Sequence, residues 1–215
     1  MTQEKPARRS QADRRAETRA KLIDAARELF VETGFADTAT PDIVHKAGVT
    51  RGALYHHFKD KTDLFRALAE EEAKAIADHI DRATHDIADP ELAMQTGSDA
   101  FFEAMLVPGR VRLLMEEAPA VLGHTSAVAL TRANGSAELR EGLTRALPDA
   151  SQARIDALTN LLSAAFDRAA LEIAYGGDPS AYKAAMHQLV GQVLGIEADL
   201  PVAEPALGPA QHRLD

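Results

Sequence analysis

The stretch that decides the fold spans residues 40–58 and reads TPDIVHKAGVTRGALYHHF. It predicts two short helices around a tight turn at Gly48, because glycine tolerates the positive φ that such a turn requires. We expect Thr40 to be the N-cap of the first helix, with Pro41 at its first helical position. The apolar residues of the stretch predict a core that both helices share: Ile43, Ala47, Val49, Leu54 and Phe58.

The opposite face of the second helix carries short polar, cationic and aromatic side chains. Thr50, Arg51 and Gly52 lie at its N-terminal end, and Tyr55 and His56 follow one turn later. This layout is typical of a recognition helix that enters the major groove of DNA. A generic helical hairpin shares the glycine and the apolar spacing, so the motif alone leaves that alternative open.

The flanking sequence narrows the interpretation. The preceding helix ends in FVETGF at residues 30–35, and the motif is followed by KDKTDL at residues 59–64. Residues 19–66 resemble the DNA-binding domain of TetR-family transcriptional regulators. Val44 departs from the family, which more often has a small alanine there, and this predicts a slightly altered helix crossing. The residues that carry the resemblance are Ala25, Ala26, Leu29, Phe30, Gly34, Phe35, Thr40, Ile43, Ala47, Gly48, Val49, Leu54, Tyr55, His57, Phe58, Lys61 and Leu64.

The resemblance implies a homodimer that binds double-stranded operator DNA at two half-sites, about 34–36 Å or a multiple of that apart. Thr40 and Lys61 are expected to contact phosphates. Arg51 is expected to read a base, because arginine contacts guanine through two hydrogen bonds. His56 and His57 point about 100° apart on a helix, so we expect no metal site there. The implied DNA-binding residues are Thr40, Thr50, Arg51, Gly52, Tyr55, His56, His57 and Lys61.

The remainder of the chain predicts an all-α fold of about nine helices, with breaks at proline and glycine. A helix-turn-helix DNA-binding domain is expected at residues 13–66 and a helical effector-binding and dimerisation domain at residues 67–197. A flexible basic arm is expected at residues 1–12 and a disordered tail at residues 198–215. The expected helices span about 13–33, 40–47, 50–58, 60–88, from 90, from 108, 126–147, 151–175 and 179–195.

Charge is distributed unevenly along the chain, whose net charge is −9. Residues 1–66 carry 13 basic and 10 acidic side chains, whereas residues 67–215 carry 11 and 23. A polyanion is therefore expected to meet the N-terminal end. The arginines of the first helix and the arm, Arg8, Arg9, Arg14 and Arg15, reach DNA in one interpretation and form a solvated tail in another.

Several classes of protein are excluded by what the sequence lacks. There is no cysteine, so disulfides, thiol catalysis and cysteine-based metal sites are ruled out. The sequence contains no G-x-S-x-G, P-loop or G-x-G-x-x-G motif, and we expect no enzyme activity, no cofactor and no metal. It contains no run of 18 apolar residues and no apolar N-terminal segment. We therefore expect a cytoplasmic protein that does not contact a membrane.

Two further sets of residues are candidates in the second domain. The alternative is an ordinary core for the apolar effector candidates, a solvated surface for the polar ones, and burial within one subunit for the dimer candidates. No spacing selects a chemical class of effector. The candidate effector-binding residues are Phe101, Phe102, Met105, Leu106, Arg112, Met115, Glu116, Leu122, His124 and Tyr175. The candidate dimer-interface residues, on two helices that resemble the family's dimer bundle, are Leu158, Leu162, Ala165, Phe166, Ala169, Met186, Leu189 and Val193.

These observations predict a DNA-binding transcriptional regulator, a homodimeric repressor that a small molecule releases from a palindromic operator. We expect a hinge in the helix that joins the domains, at residues 66–80. One alternative is an architectural binder that tolerates many sequences, against which the acidic second domain argues. Another is a helical ligand carrier that no longer binds DNA. Activation instead of repression also stays open.

Overall fold

A computed structural model describes residues 10–134 and 136–195, with side chains for all of these except residues 131–134. The described residues form ten α-helices and no strand, so the expected all-α fold is confirmed. A π-helical segment, Arg112–Glu117, leads directly into the sixth helix. The helices are α1 (Gln11–Thr33), α2 (Thr40–Ala47), α3 (Arg51–His57), α4 (Lys61–Thr84), α5 (Pro90–Met105), α6 (Ala118–Leu122), α7 (His124–Asn134), α8 (Ser136–Ala146), α9 (Gln152–Ala174) and α10 (Pro179–Leu194).

Several helix ends differ from the sequence expectation. A capping box at Ser10 starts α1 at residue 11, so the end of the expected arm is helical. The expected arm residues 1–9 and the expected tail at 198–215 lie outside the described residues. Thr40 is not the N-cap of α2: Ala39 is, and Thr40 is already helical. The helix expected from residue 60 to about 88 ends at Thr84.

The helix expected to start at Pro108 begins two residues later, at Arg110. Pro108 belongs to a turn whose next residue, Gly109, has a φ of 81°. A Cβ at Gly109 would lie 2.3 Å from Cγ2 of Val31, so a larger residue would push the turn away from α1. The turn therefore packs against α1 and delays the start of the next helical segment to Arg110, and the π-helical part follows at Arg112. The single helix expected at 126–147 is instead two helices, α7 and α8, that flank residue 135.

One hydrophobic core joins the N-terminal helices to part of the second domain. Phe30, Phe35 and Phe65 pack ring against ring, with centroids 5.4 to 5.5 Å apart. The same cluster includes Leu113 of the π-helical segment and Ala118 of α6. Moreover, α4 runs without interruption across the expected domain boundary at residue 66. The two domains thus share both a helix and a core.

Most residues of the predicted dimer interface pack inside the subunit. Leu162, Phe166, Ala169 and Met186 are buried in a cluster formed by α5, α8, α9 and α10. Leu158, Ala165 and Val193 pack against that cluster and are half-buried. Of the predicted residues, Leu189 is exposed, at 38 %. The two helices were correctly predicted, but their apolar faces point inward.

A buried carboxylate holds α1, α4 and the turn after α5 together. Glu72 of α4 is 7 % exposed. Its two oxygens accept hydrogen bonds of 2.6 Å from Nε of Arg27 and Nε of Arg110. The same two arginines donate to backbone carbonyls, Arg27 to Pro108 and Arg110 to Ala104. Because its charges and donors all have partners, this triad avoids the cost of an isolated buried charge.

Residues 107–117 comprise the turn after α5 and the π-helical segment, and we call them the junction segment. A second set of polar contacts joins this segment to α1. Nη1 of Arg112 donates to the carbonyl of Val31 at 3.1 Å. Oε1 of Glu117 accepts from the backbone N–H of Phe35 at 3.3 Å and lies 3.4 Å from Nη2 of Arg112. Side chains of the junction segment therefore contact backbone groups at the C-terminal end of α1 and in the turn that follows it.

The triad generates a stability prediction for Glu72→Gln. Burial raises the pKa of Glu72, but the hydrogen bonds from Arg27 and Arg110 outweigh it, so the pKa lies below its usual 4.5. The ionised carboxylate thus stabilises the fold above about pH 4.5, and this contribution is lost as the pH falls through the lowered value. We expect Glu72→Gln to lower the free energy of unfolding by about 3 kcal/mol at pH 7. Urea denaturation measures this, and the difference should shrink in acid.

Glu71→Gln is the matched control for this prediction. Glu71 is the adjacent residue and pairs with Arg19 at 2.5 Å, but both side chains are largely exposed. Such a surface pair contributes about 0 to 1 kcal/mol. Equal losses in the two variants would contradict the role assigned to Glu72.

Candidate DNA-binding surface and effector cavities

The outward face of α3 brings five of the predicted DNA-binding residues together. Thr50 is the N-cap, and its Oγ1 accepts from the N–H of Ala53 at 3.2 Å. The guanidinium of Arg51 lies 5.6 Å from the centroid of the Tyr55 ring, which stacks beside it as a cation–π partner. Gly52 and His56 are exposed on the same short helix, and Tyr55 is 48 % exposed. Buried Leu54 anchors the opposite face.

Gly52 adds information about what this face contacts. A Cβ built at Gly52 meets one atom within 4 Å, Oγ1 of Thr50 at 3.9 Å. The subunit itself therefore has room for a side chain at this helical position, although glycine weakens a helix by roughly 0.5–1 kcal/mol relative to alanine. Because Gly52 has no side chain, another molecule can approach the backbone of α3 closely at this position.

His57 differs from its neighbour His56 in burial. Its ring is half-buried, with its centroid 6.2 Å from that of Phe58. Burial lowers the pKa of His57, and the positive charges of His56, Arg15 and Arg19 lower it further. The neutral imidazole is thus favoured, which suits a packed residue better than a cationic phosphate contact. Arg14 and Arg15 belong to α1, whereas Arg8 and Arg9 lie outside the described residues.

Lys61 and Thr40 do not join this outward face. The ammonium of Lys61 donates to the carbonyls of Phe35 at 2.6 Å and Thr38 at 2.9 Å, and lies 4.3 Å from the centroid of the Phe35 ring. Lys61 therefore fixes the connection between α1 and α2, and its expected phosphate contact stays a prediction. Thr40 is half-buried in the first turn of α2.

The predicted effector residues are divided among three cavities. The first, of about 230 Å³, lies among α4, α5, α8 and α9, and Phe101 lines it. The second, of about 420 Å³, lies beside the junction segment and is lined by six of the predicted residues. A third of about 40 Å³ contains Phe101, Met105 and Met115. The six residues of the second cavity are Phe102, Met105, Leu106, Arg112, Glu116 and Tyr175.

Two predicted effector residues, Leu122 and His124, line none of these three cavities. Leu122 packs against the core that includes Phe30, and His124 is exposed at the start of α7. In the second cavity the hydroxyl of Tyr175 donates to Oε1 of Glu116 at 2.6 Å, and this hydrogen bond raises the pKa of the tyrosine.

The first cavity contains carboxylates that the sequence reading missed, and we call it the acid-lined cavity. Asp81, Glu138, Glu141 and Asp167 line it beside apolar groups such as Met94. Burial raises the pKa of Asp167 to about 6. Burial, with the nearby charges of Asp81, Glu141 and Asp78, also raises the pKa of Glu138. The available signal was an acidic residue inside the apolar run SAAFDRAALEI at residues 163–173.

Two negative findings apply to residues 10–134 and 136–195. No three histidine, aspartate or glutamate side chains in this part of the chain come together as a metal site would require. No helix there has the length and apolar character needed to cross a membrane.

The fold and the exposed α3 surface define a class, namely helix-turn-helix DNA-binding proteins with a helical second domain. A family model described as "Bacterial regulatory proteins, tetR family" matches residues 22–68. A second model, "Tetracyclin repressor-like, C-terminal domain", matches residues 92–195. The chain belongs to the TetR family of transcriptional regulators.

Individual relatives agree with this assignment. The transcriptional regulator TtgR of Pseudomonas putida is 38 % identical over 102 residues, which is 46 % of this chain and 48 % of TtgR. AcrR of Shigella flexneri is 37 % identical over 101 residues, 46 % of this chain and 47 % of AcrR. The chain thus spans about half the length of these curated relatives. A TetR-family regulator from Pectobacterium atrosepticum is 29 % identical with a TM-score of 0.65, over 86 % of this chain and 96 % of that one.

The carboxylate of Asp167 generates a prediction with the opposite sign to that for Glu72. Because the folded pKa is raised from 3.8 to about 6, ionisation opposes folding, and this penalty grows as the pH rises through that range. We expect Asp167→Asn to raise the free energy of unfolding at pH 7.5 by about 1–3 kcal/mol. The gain should disappear near pH 4 in urea denaturation.

Asp149→Asn is the control, since Asp149 is exposed in the turn between α8 and α9. It should change stability little at either pH. A loss of stability in Asp167→Asn at pH 7.5 would mean that the carboxylate holds the fold instead of opposing it.

Proposed function

We propose that this chain is a homodimeric repressor that binds a palindromic operator and is released from it by a small molecule. The observation that carries the proposal is the outward face of α3, where Arg51, Gly52 and Tyr55 are exposed and free of the core. A guanidinium beside an aromatic ring suits contact with a guanine edge, and the bare backbone at Gly52 suits close approach to the duplex. Thr50 and His56 complete the proposed contact surface.

The route from effector to operator runs through the junction segment. Phe101 and Asp167 line both the acid-lined cavity and the small third cavity. The third cavity is also lined by Leu114 and Met115, which belong to the same π-helical segment as Arg112. Arg112 in turn contacts the end of α1. An occupant that displaces the π-helical segment thereby moves the contact of Arg112 with α1, the first helix of the DNA-binding domain.

Release then follows from differential affinity. An effector that binds more tightly to the conformation with mismatched half-site spacing lowers operator affinity, and the operator lowers effector affinity by the same factor. The hinge that we expect at residues 66–80 lies in α4 and includes Glu72, whose two arginine partners come from α1 and from the junction segment. A displacement of the junction segment would thus act at the hinge itself.

Dimerisation is proposed through the exposed faces of α9 and α10 rather than their buried ones. Leu161 is 69 % exposed and Leu189 is 38 % exposed. Small exposed residues flank these leucines and permit two helices to approach closely: Ala157 and Ala164 on α9, and Ala181 and Ala185 on α10.

Selection from a random DNA library at near-physiological salt tests operator binding. The wild type should enrich a palindrome, and Arg51→Ala should lose that motif while keeping the fold, because Arg51 is exposed. Gly52→Ala should raise stability by roughly 0.5–1 kcal/mol yet weaken operator binding. Arg82→Ala on α4, an exposed arginine outside α3, is the control and should bind like the wild type.

Two outcomes would overturn the proposed operator recognition. Steep salt dependence without any enriched motif would indicate an architectural binder. Absence of DNA binding by the wild type would indicate a ligand carrier that has lost this function.

The combined variant Leu161→Glu and Leu189→Glu tests the dimer. Two carboxylates placed in an apolar interface cannot be paired there, so the variant should be monomeric in analytical ultracentrifugation. Leu92→Glu is the matched control, since Leu92 is 51 % exposed and belongs to α5 instead of α9 or α10. This variant should remain dimeric. A dimer that survives the double substitution would place the interface elsewhere.

A further inference from the structure

The acid-lined cavity has a strongly unbalanced charge. Asp81 and Glu141 are exposed at its solvent side, and Glu138 and Asp167 lie deeper. The guanidinium that also lines it, that of Arg145, donates to the carbonyl of Ile87 at 3.0 Å. The remaining titratable lining residue is His85, whose Nε2 lies 3.0 Å from Asp86. Four carboxylates thus face one space with a single guanidinium.

Neither of the two deeper carboxylates has a cationic partner within the described residues. Oε2 of Glu138 is buried and has no hydrogen-bond partner. Asp167 makes neither a hydrogen bond nor an ion pair within the described residues, and burial alone accounts for its raised pKa. Taking a carboxylate out of water without a cation beside it costs several kcal/mol in general. Two such groups turned to one cavity favour an occupant that brings the positive charge.

The rest of the lining is apolar and aromatic. The rings of Phe101 and Phe166 both line the cavity, with centroids 5.2 Å apart. Met94 and Ile80 add apolar surface from α5 and α4. Ring faces attract cations, and flexible methionine adapts to an apolar body of varied shape. The occupant therefore needs a hydrophobic body as well as a charge.

We propose that the effector is a lipophilic cation. Its positive group lies between Glu138 and Asp167, and its apolar body packs against Phe101, Phe166 and Met94. Asp81 and Glu141 at the solvent side attract cations and repel anions. The assignment of this ligand as effector rests on the proposed function, whereas the binding of a cation in the cavity does not.

Isothermal titration calorimetry with the full-length chain near pH 7.5 tests the charge requirement. The probes are phenyltrimethylammonium and tert-butylbenzene, which have nearly the same shape and differ by one positive charge. The cation should bind about tenfold or more tightly than the neutral probe. Equal affinities, or no saturable binding of the cation at millimolar concentration, would overturn the proposal.

The variants test whether the two deeper carboxylates supply the recognition. Glu138→Gln with Asp167→Asn should reduce cation affinity about tenfold or more while tert-butylbenzene binds as before or better, which also shows that the cavity is intact. Glu91→Gln with Asp149→Asn removes the same charges from the surface and should bind the cation as the wild type does. An unchanged cation affinity in the cavity variant would contradict the proposed site.

The permanent charge of phenyltrimethylammonium allows a further check. Its affinity should fall between pH 7.5 and pH 5, since Asp167, with a pKa of about 6, becomes protonated over this range. The double variant should lose most of this dependence. A pH dependence that the variant retains in full would assign it to other groups and contradict the role of Asp167.

Fluorescence anisotropy of the selected operator separates this proposal from the proposed function. Release of the operator by the cation, but not by the neutral probe, supports both. Binding of the cation without release confirms the cation site and rejects its role as effector. If no operator is bound at all, calorimetry still decides the cation site on its own.

Discussion

The buried contact between Glu72, Arg27 and Arg110 is the interaction on which the rest of the structure depends. It brings together α1, which supports the DNA-binding helices, α4, which crosses between the domains, and the junction segment after α5. Removing the carboxylate would leave the half-buried guanidinium of Arg27 and the buried one of Arg110 facing each other. These guanidinium groups also hold the carbonyls of Pro108 in the turn and Ala104 in α5. The close approach of Gly109 to Val31 depends on the same geometry.

The carboxylates that line the acid-lined cavity have pKa shifts of the opposite sign to that of Glu72. Glu72 has two charged donors, which lower its pKa, whereas Asp167 and Glu138 lack such donors and burial raises their pKa values. The carboxylate that is paired with two arginines joins the domains, whereas the carboxylates without a cationic partner line the cavity. The cavity residues Phe101 and Asp167 also reach the space beneath the π-helical segment. The cavity is therefore linked to α1 through the π-helical segment, whose Arg112 contacts the carbonyl of Val31.

Local chemistry explains which elements were predictable. The turn at Gly48, the stop at Gly34 and the starts at Asp60, Pro90 and Pro179 depend on residues next to them in sequence, and the structure has helix ends at or beside these positions. The helix expected at Pro108 starts two residues later because Gly109 packs against Val31, about 80 residues away. The contacts of Lys61 within the subunit were not predictable for a similar reason, since the carbonyls that it contacts belong to the connection between α1 and α2.

The sequence by itself determined the all-α fold, the helix-turn-helix and its outward residues on α3, because helical periodicity and local caps specify which side of a short helix is polar. The tertiary structure alone decided where the apolar faces of α9 and α10 point and which carboxylates share a cavity. An apolar stripe shows that a helix is covered but not by what, and residues as far apart as Asp81 and Asp167 meet only when four helices pack. Burial and pairing of charge are properties of that packing, and they decide which buried carboxylate stabilises the fold and which faces a ligand.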